Sequence, residues 1–192
     1  VSHIARPARH EKARVGDRAM STTTAASRTR GVESAVARAA AGCAARGAQL
    51  TELRRQVLRL VLDAPHPIGA YALLDRLRAE RPGAAPPTVY RALAFLQAQG
   101  LVHRVERLNA FVGCTGPGEN QHCGHDRDHP HQFLICAACG ATLEICDDRV
   151  ATAVADAARR AGFAPHRTTV EVEGRCSACV AANRVPGAAV AH

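Results

Sequence analysis

The 192-residue chain has no apolar run approaching the ~18 to 20 residues of a membrane span, and its arginine-rich N-terminus lacks the continuous apolar core of a secretory signal. A cytoplasmic protein is expected. Also missing are a carboxylate dyad, a nucleophile elbow and a phosphate-cradling glycine loop, so nothing points to an enzyme. What the chain does have is cysteine, eight residues in all. In a reducing compartment that number argues for metal ligation or redox chemistry over a disulfide frame. At 47% hydrophobic the chain can bury one or two small cores, and two compact lobes are expected.

Charge is unevenly spread. Residues 1–31, 32–113 and 114–192 carry +5, +5 and −2 of the total +8. A basic front half suits a polyanionic partner, nucleic acid first, although a solvated arginine surface would give the same sum.

Residues 1–31 show little apolar periodicity and read as a disordered basic tail. The first residue is Val1 and the single methionine is Met20, which also fits a start codon assigned too far upstream. From Val32 an alanine-rich helix runs to Gly47. A second helix starts at a Thr51 cap with Leu53, Val57, Leu60 and Val61 on one face, and Pro65 ends it. "AYALLDRLRAERPG" is a third, with Leu73, Leu74 and Leu77 inward. "PPTVYRALAFLQAQG" is a fourth, opened by Pro86 and Pro87, closed by Gly100, with Val89, Leu93 and Leu96 as its core stripe. Thr88, Arg91 and Phe95, with Ala92 beside them, form the opposite surface, which could enter a major groove. Two extended runs around Arg107–Asn109 make a β-hairpin, and helices followed by a hairpin describe a winged helix over residues 32–113.

Residues 114–130 form a hinge or insertion rich in Gly, His and Asp. There His122, Cys123 and His125 offer donors for an extra metal, or are idle members of a polar loop. Residues 131–184 read as a small α/β lobe: strands "HQFLIC" and "ATLEIC", an amphipathic helix, then the strand "HRTTVEVEG". Residues 185–192 are a flexible tail. Cys136 and Cys139 make one Cys-x-x-Cys pair, and Cys176 and Cys179 another, 36 residues on. A zinc ribbon separates its pairs by roughly 15 to 20 residues, so here a helix and a strand are threaded between the two knuckles. One tetrahedral four-thiolate site, structural zinc, would tie the beginning of the lobe to its end. Cys146 and Cys43 are read as structural, Cys146 as a buried thiol.

"PPTVYRALAFLQAQGLVHRVERLNAFVGC", followed by "FLICAACGATLEIC" and "GRCSACV", resembles the ferric uptake regulator family, most closely its zinc-sensing branch, over roughly residues 33–182. The resemblance implies an α+β protein: a homodimeric, metal-dependent repressor with an N-terminal winged helix on operator DNA and a C-terminal α/β dimerisation domain. It further implies a regulatory metal site of His103, Cys114, His129 and Glu144, with His131 competing for the place of His129. One thiolate, two imidazoles and a carboxylate suit tetrahedral zinc, whereas iron sensors favour nitrogen and oxygen donors. Two zinc ions per subunit follow, one structural and one regulatory. The bland alternatives are a solvent-facing His103, a surface Glu144 and a Cys114 acting as a small hydrophobe.

Because His103 and Cys114 belong to the wing and the other ligands to the second lobe, one metal would clamp the two. A preference of ~3 to 5 kcal/mol for the clamped form would shift DNA occupancy almost fully. Arg91 is the candidate for a purine edge and Tyr71, by family position, for thymine or backbone; the alternatives are a phosphate-only contact and partial core packing. Asp75 and Arg78 form an intrahelical pair, or pair between two dimers on one operator. The rival functions are an iron or peroxide sensor of the same architecture and a cysteine-pair redox protein. Neither cysteine pair has the βαβ setting the latter needs.

Overall fold

A computed structural model of the protein describes residues 25–114, 131–166 and 168–186. Its first lobe runs through α1 (Ala25–Ala45), α2 (Glu52–Asp63), β1 (Ile68–Gly69), α3 (Ala70–Glu80), α4 (Pro86–Ala98), β2 (Val102–Val105) and β3 (Ala110–Gly113). The strands form an antiparallel sheet in the order β1-β3-β2, and this helical lobe with its hairpin is a winged helix. Val57, Leu58 and Val61 of α2 meet Leu73, Leu74 and Leu77 of α3 in one buried core with the inner face of α4. Gly100 closes α4 at φ +69°, letting the Leu101 N–H return to the Leu96 carbonyl at 2.9 Å and turning the chain directly into β2.

Several expectations are corrected. α1 starts at Ala25, inside the stretch read as a disordered tail, because extending a helix already nucleated downstream needs only one backbone bond per residue and no apolar period. Thr51 sits at the N-cap of α2, but its hydroxyl caps nothing; Arg54 and Arg55 instead fold back onto the Gln49 and Leu50 carbonyls. Ala92 is buried, so it belongs to the core side of α4. β1 pairs Ile68 with Phe111 and is too short to show an alternation in sequence. Among the described residues no helix is long and apolar enough to cross a membrane.

The second lobe holds β4 (His131–Cys136), β5 (Thr142–Ile145), α5 (Asp148–Arg160), β6 (Thr169–Gly174) and α6 (Ser177–Ala181). Its sheet order is β5-β4-β6, with β4 antiparallel to β5 and parallel to β6. A parallel pair needs a crossover of a dozen or more residues, which is the physical reason for the long gap between the cysteine pairs. Asp147 caps α5 by accepting the Arg149 N–H at 2.9 Å, and Arg149 holds its carboxyl down at about 2 through side-chain and backbone hydrogen bonds. The buried amide of Gln132 anchors this helix start to β4, donating to the Asp147 carbonyl at 2.9 Å and accepting its N–H at 3.3 Å. Cys146, between β5 and this cap, is exposed and disulfide-bonded, where a buried thiol was expected.

Strand alternation settles how the lobes meet. On β4, Phe133 and Ile135 face the wing and pack with Val105 of β2 and Val112 of β3, a small apolar seam of their own. Leu134 faces the other way, in register with Leu143 of β5 and Val172 of β6, and all three are exposed.

Candidate metal centres and DNA-facing surface

Two clusters of metal-ligating side chains lie among the described residues. In the first, Cys136, Cys139, Cys176 and Cys179 bring their sulfurs within 4.8 Å of one another. The geometry follows from the backbone. β4 and β6 end side by side, Cys136 opposite Gly174, and the Ala137 N–H bonds the Gly174 carbonyl at 2.8 Å. Gly140, at φ +72°, folds the first pair back so that its N–H reaches the Cys136 carbonyl at 2.8 Å. α6, which sequence periodicity missed because it is only five residues long, follows directly on Cys176 at its N-cap and buries Cys179.

The four thiols are not equivalent. The Cys136 sulfur accepts the Cys176 backbone N–H at 3.3 Å, and that bond pulls its pKa down to about 6. Burial, then the neighbouring sulfurs, push Cys179 up to about 12. Like charges this close cannot all ionise alone, whereas a divalent cation would stabilise every thiolate at once. The donor set and its closed, mostly buried geometry fit a structural zinc ion.

The second cluster joins the lobes. His103, in the middle of β2, is 7% exposed; His131 opens β4; Glu144 lies on β5. One Glu144 oxygen stands 3.5 Å from His103 Nε2 and 3.4 Å from His131 Nδ1, and the imidazole centroids are 3.8 Å apart. The Phe133 ring neighbours both imidazoles, its centroid 6.2 Å from that of His103 and 6.4 Å from that of His131. Two imidazoles converging on one carboxylate oxygen in a largely dry site are suited to hold a divalent cation. Cys114, half-buried just past β3, is not within this set of three; its backbone N–H bonds the Leu101 carbonyl at 3.0 Å. His129, His122, Cys123 and His125 lie outside the described residues. Of the two histidines offered by sequence, His131 lies among the described residues and reaches a Glu144 oxygen.

On α4, Arg91 is exposed and Thr88 half-buried. Phe95 is half-buried beneath the Arg54 guanidinium, 3.5 Å from its ring centroid, and so does not face solvent as read from sequence. Tyr90, 47% exposed beside Arg91, was missed; the same helical period that placed Arg91 outward places it there too. Tyr71 is 68% exposed at the start of α3, without the core packing offered as its alternative. Asp75 and Arg78 pair within α3 at 3.7 Å.

The family model described as the ferric uptake regulator family matches residues 45–173. The chain is 43% identical to the zinc uptake regulation protein of Escherichia coli (strain K12), the match covering 72% of this chain and 77% of that protein. It is 30% identical to the zinc uptake regulation protein of Mycobacterium tuberculosis (strain ATCC 25618 / H37Rv), covering 70% and 97%. Among solved structures, a zinc uptake regulator complexed with zinc and DNA superposes with a TM-score of 0.71 at 40% identity, covering 79% of this chain and 97% of that one. Holo XcZur superposes at 0.68 with 42% identity, covering 77% and 98%.

Proposed function

This chain belongs to the ferric uptake regulator family, and from that premise we propose that it is a zinc-responsive transcriptional repressor, not an enzyme, that binds palindromic operator DNA as a zinc-loaded homodimer and controls zinc uptake genes. The observation that carries this reading is the convergence of His103 from the wing with His131 and Glu144 from the second lobe. A cation held there would cross-link two otherwise separately folded units, and so bias the direction in which α4 is presented. Two zinc ions per subunit are proposed: one on the four cysteines, and one on His103, His131 and Glu144 with Cys114 as fourth ligand.

A second copy of the chain is the proposed partner at the outer sheet face. Leu143, Leu134 and Val172 form one row across three strands, 59%, 38% and 50% exposed, and α5 has no buried residue. An apolar row of this kind beside an incompletely covered amphipathic helix suits an isologous interface. In that dimer Arg91, Tyr90, Thr88 and Tyr71 would face DNA, with Arg91 donating to a purine edge. Side-by-side dimers on one operator would require Asp75 and Arg78 to exchange their intrahelical partner for one across dimers. The cytoplasm is the proposed compartment, where operator DNA is found.

The three clustered donors are all nitrogen and oxygen, a set that iron(II) also accepts, which keeps an iron sensor as the second reading. Selecting duplexes from a random DNA pool with buffered zinc, with anaerobic iron(II) and with chelator separates the two. A palindrome enriched only with zinc is expected; enrichment with iron alone refutes the zinc reading. Cys114→Ser should weaken zinc-dependent DNA binding in a folded dimer, and unchanged binding removes Cys114 from the ligand set.

A further inference from the structure

We propose that β6 carries a latch for the wing: Glu171 and Glu173 hold the turn between β2 and β3 against the second lobe and act as positioning residues for DNA recognition. The inference rests on the repressor reading above. The two oxygens of Glu171 accept the backbone N–H groups of Glu106 at 2.6 Å and Arg107 at 3.0 Å. The Arg107 guanidinium pairs with Glu173, two residues further along the same face of β6. A carboxylate taking two consecutive backbone donors fixes the orientation of the turn, not merely its proximity. The Arg107–Glu173 pair is exposed and contributes less.

Register makes this contact the counterpart of the metal cluster. Phe133 on the central strand has Glu144 opposite it on β5 and Glu171 opposite it on β6. The wing therefore lies across the sheet. Its strand β2 meets Glu144 through His103 at one edge, its turn meets Glu171 at the other, and Val105 rests on Phe133 and Ile135 between them. A hairpin held at one edge can pivot on that apolar seam, whereas one held at both cannot. α4 feeds straight into β2 through Gly100 and Leu101, so fixing the wing fixes the DNA-reading helix. Since both attachments favour the same arrangement, weakening the latch must weaken the apparent affinity for metal and for DNA together.

The test uses full-length protein, buffered zinc and a duplex selected by the unaltered protein. Glu171→Ala is expected to lower both the zinc affinity of the DNA-binding response and the DNA affinity of the zinc-loaded protein by about 5- to 30-fold. Zinc retained on the four cysteines and the dimeric state should not change. Hydrogen exchange at the Glu106 and Arg107 amides should be slow in the zinc-loaded unaltered protein, faster with chelator, and fast in Glu171→Ala under both conditions. Arg107→Glu should give a smaller loss that Glu173→Arg restores in the double variant, a rescue that general destabilisation would not produce. Unprotected amides in the zinc-loaded unaltered protein, or unchanged zinc and DNA affinities in Glu171→Ala, would overturn the latch. Zinc-independent DNA binding by the unaltered protein would instead remove the repressor reading, and the latch with it, before any variant is made.

Discussion

Phe133 supports both the seam between the lobes and the metal cluster above it, so Phe133→Ala should be costly in two separable ways. The side chain is 1% exposed and packs with Val105, Ile135 and Val112. Burying a phenylalanine is worth about 1.5–3 kcal/mol from area alone, and the cavity left behind raises the cost of truncation to about 3–5 kcal/mol. The seam is small and its neighbours are strand residues tied into ladders, so little collapse is available and the upper half of that range is expected. With a urea dependence of about 2 kcal/mol per molar, the unfolding midpoint should fall by about 2 M. The His103 and His131 rings also lose a shared ring neighbour, so zinc affinity measured by competition with a chromophoric chelator should drop as well. Leu108→Ala, at an exposed position in the wing turn, is the control and should stay within about 0.5 kcal/mol of the parent. An unchanged midpoint for Phe133→Ala in a folded dimer would refute the claim that this seam holds the lobes together.

Cys136→Ser should cost the protein about one zinc per chain by metal analysis and melt the β4–β6 lobe, because metal binding and folding are the same free energy at such a site. Loading the four-cysteine site near neutral pH should release protons, among them those of Cys179, which burial keeps protonated up to about 12, and of Cys139, which is also held above the ordinary thiol value, while Cys136 is already largely ionised. Zinc affinity at this site should therefore fall as pH drops, more steeply below about 6 where Cys136 takes up its proton; a pH-independent affinity between 5 and 8 would contradict this. Gly113→Ala should destabilise by about 1–3 kcal/mol in thermal or urea unfolding, since its Cβ would run into the Leu62 side chain of α2, 3.2 Å from Cγ. Arg91→Ala should lose about 1–3 kcal/mol of DNA affinity and relax preference at one operator position; a uniform loss across sequences would reduce Arg91 to a phosphate contact.

Features that depend on local spacing were legible in the residues alone. Helix ends at Gly47 and Gly100, the core stripe of α4, the hairpin and the two Cys-x-x-Cys knuckles are all set by φ preferences, 3.6-residue periodicity and ligand spacing along the chain. The family resemblance named His103 and Glu144 but left His129 and His131 as competitors. Their separation of two residues puts both on the same side of an extended chain, so alternation alone could not choose between them. Tertiary structure shows that His131, as the first residue of β4, shares a face with Phe133 and reaches the Glu144 oxygen, while His129 lies outside the described residues. It likewise decided that Ala92 is buried, that Phe95 lies beneath Arg54, and that Glu171 captures the wing turn. Each of these depends on which strand pairs with which and in what register, and that is settled by the packing of lobe against lobe, which no local stretch of sequence encodes.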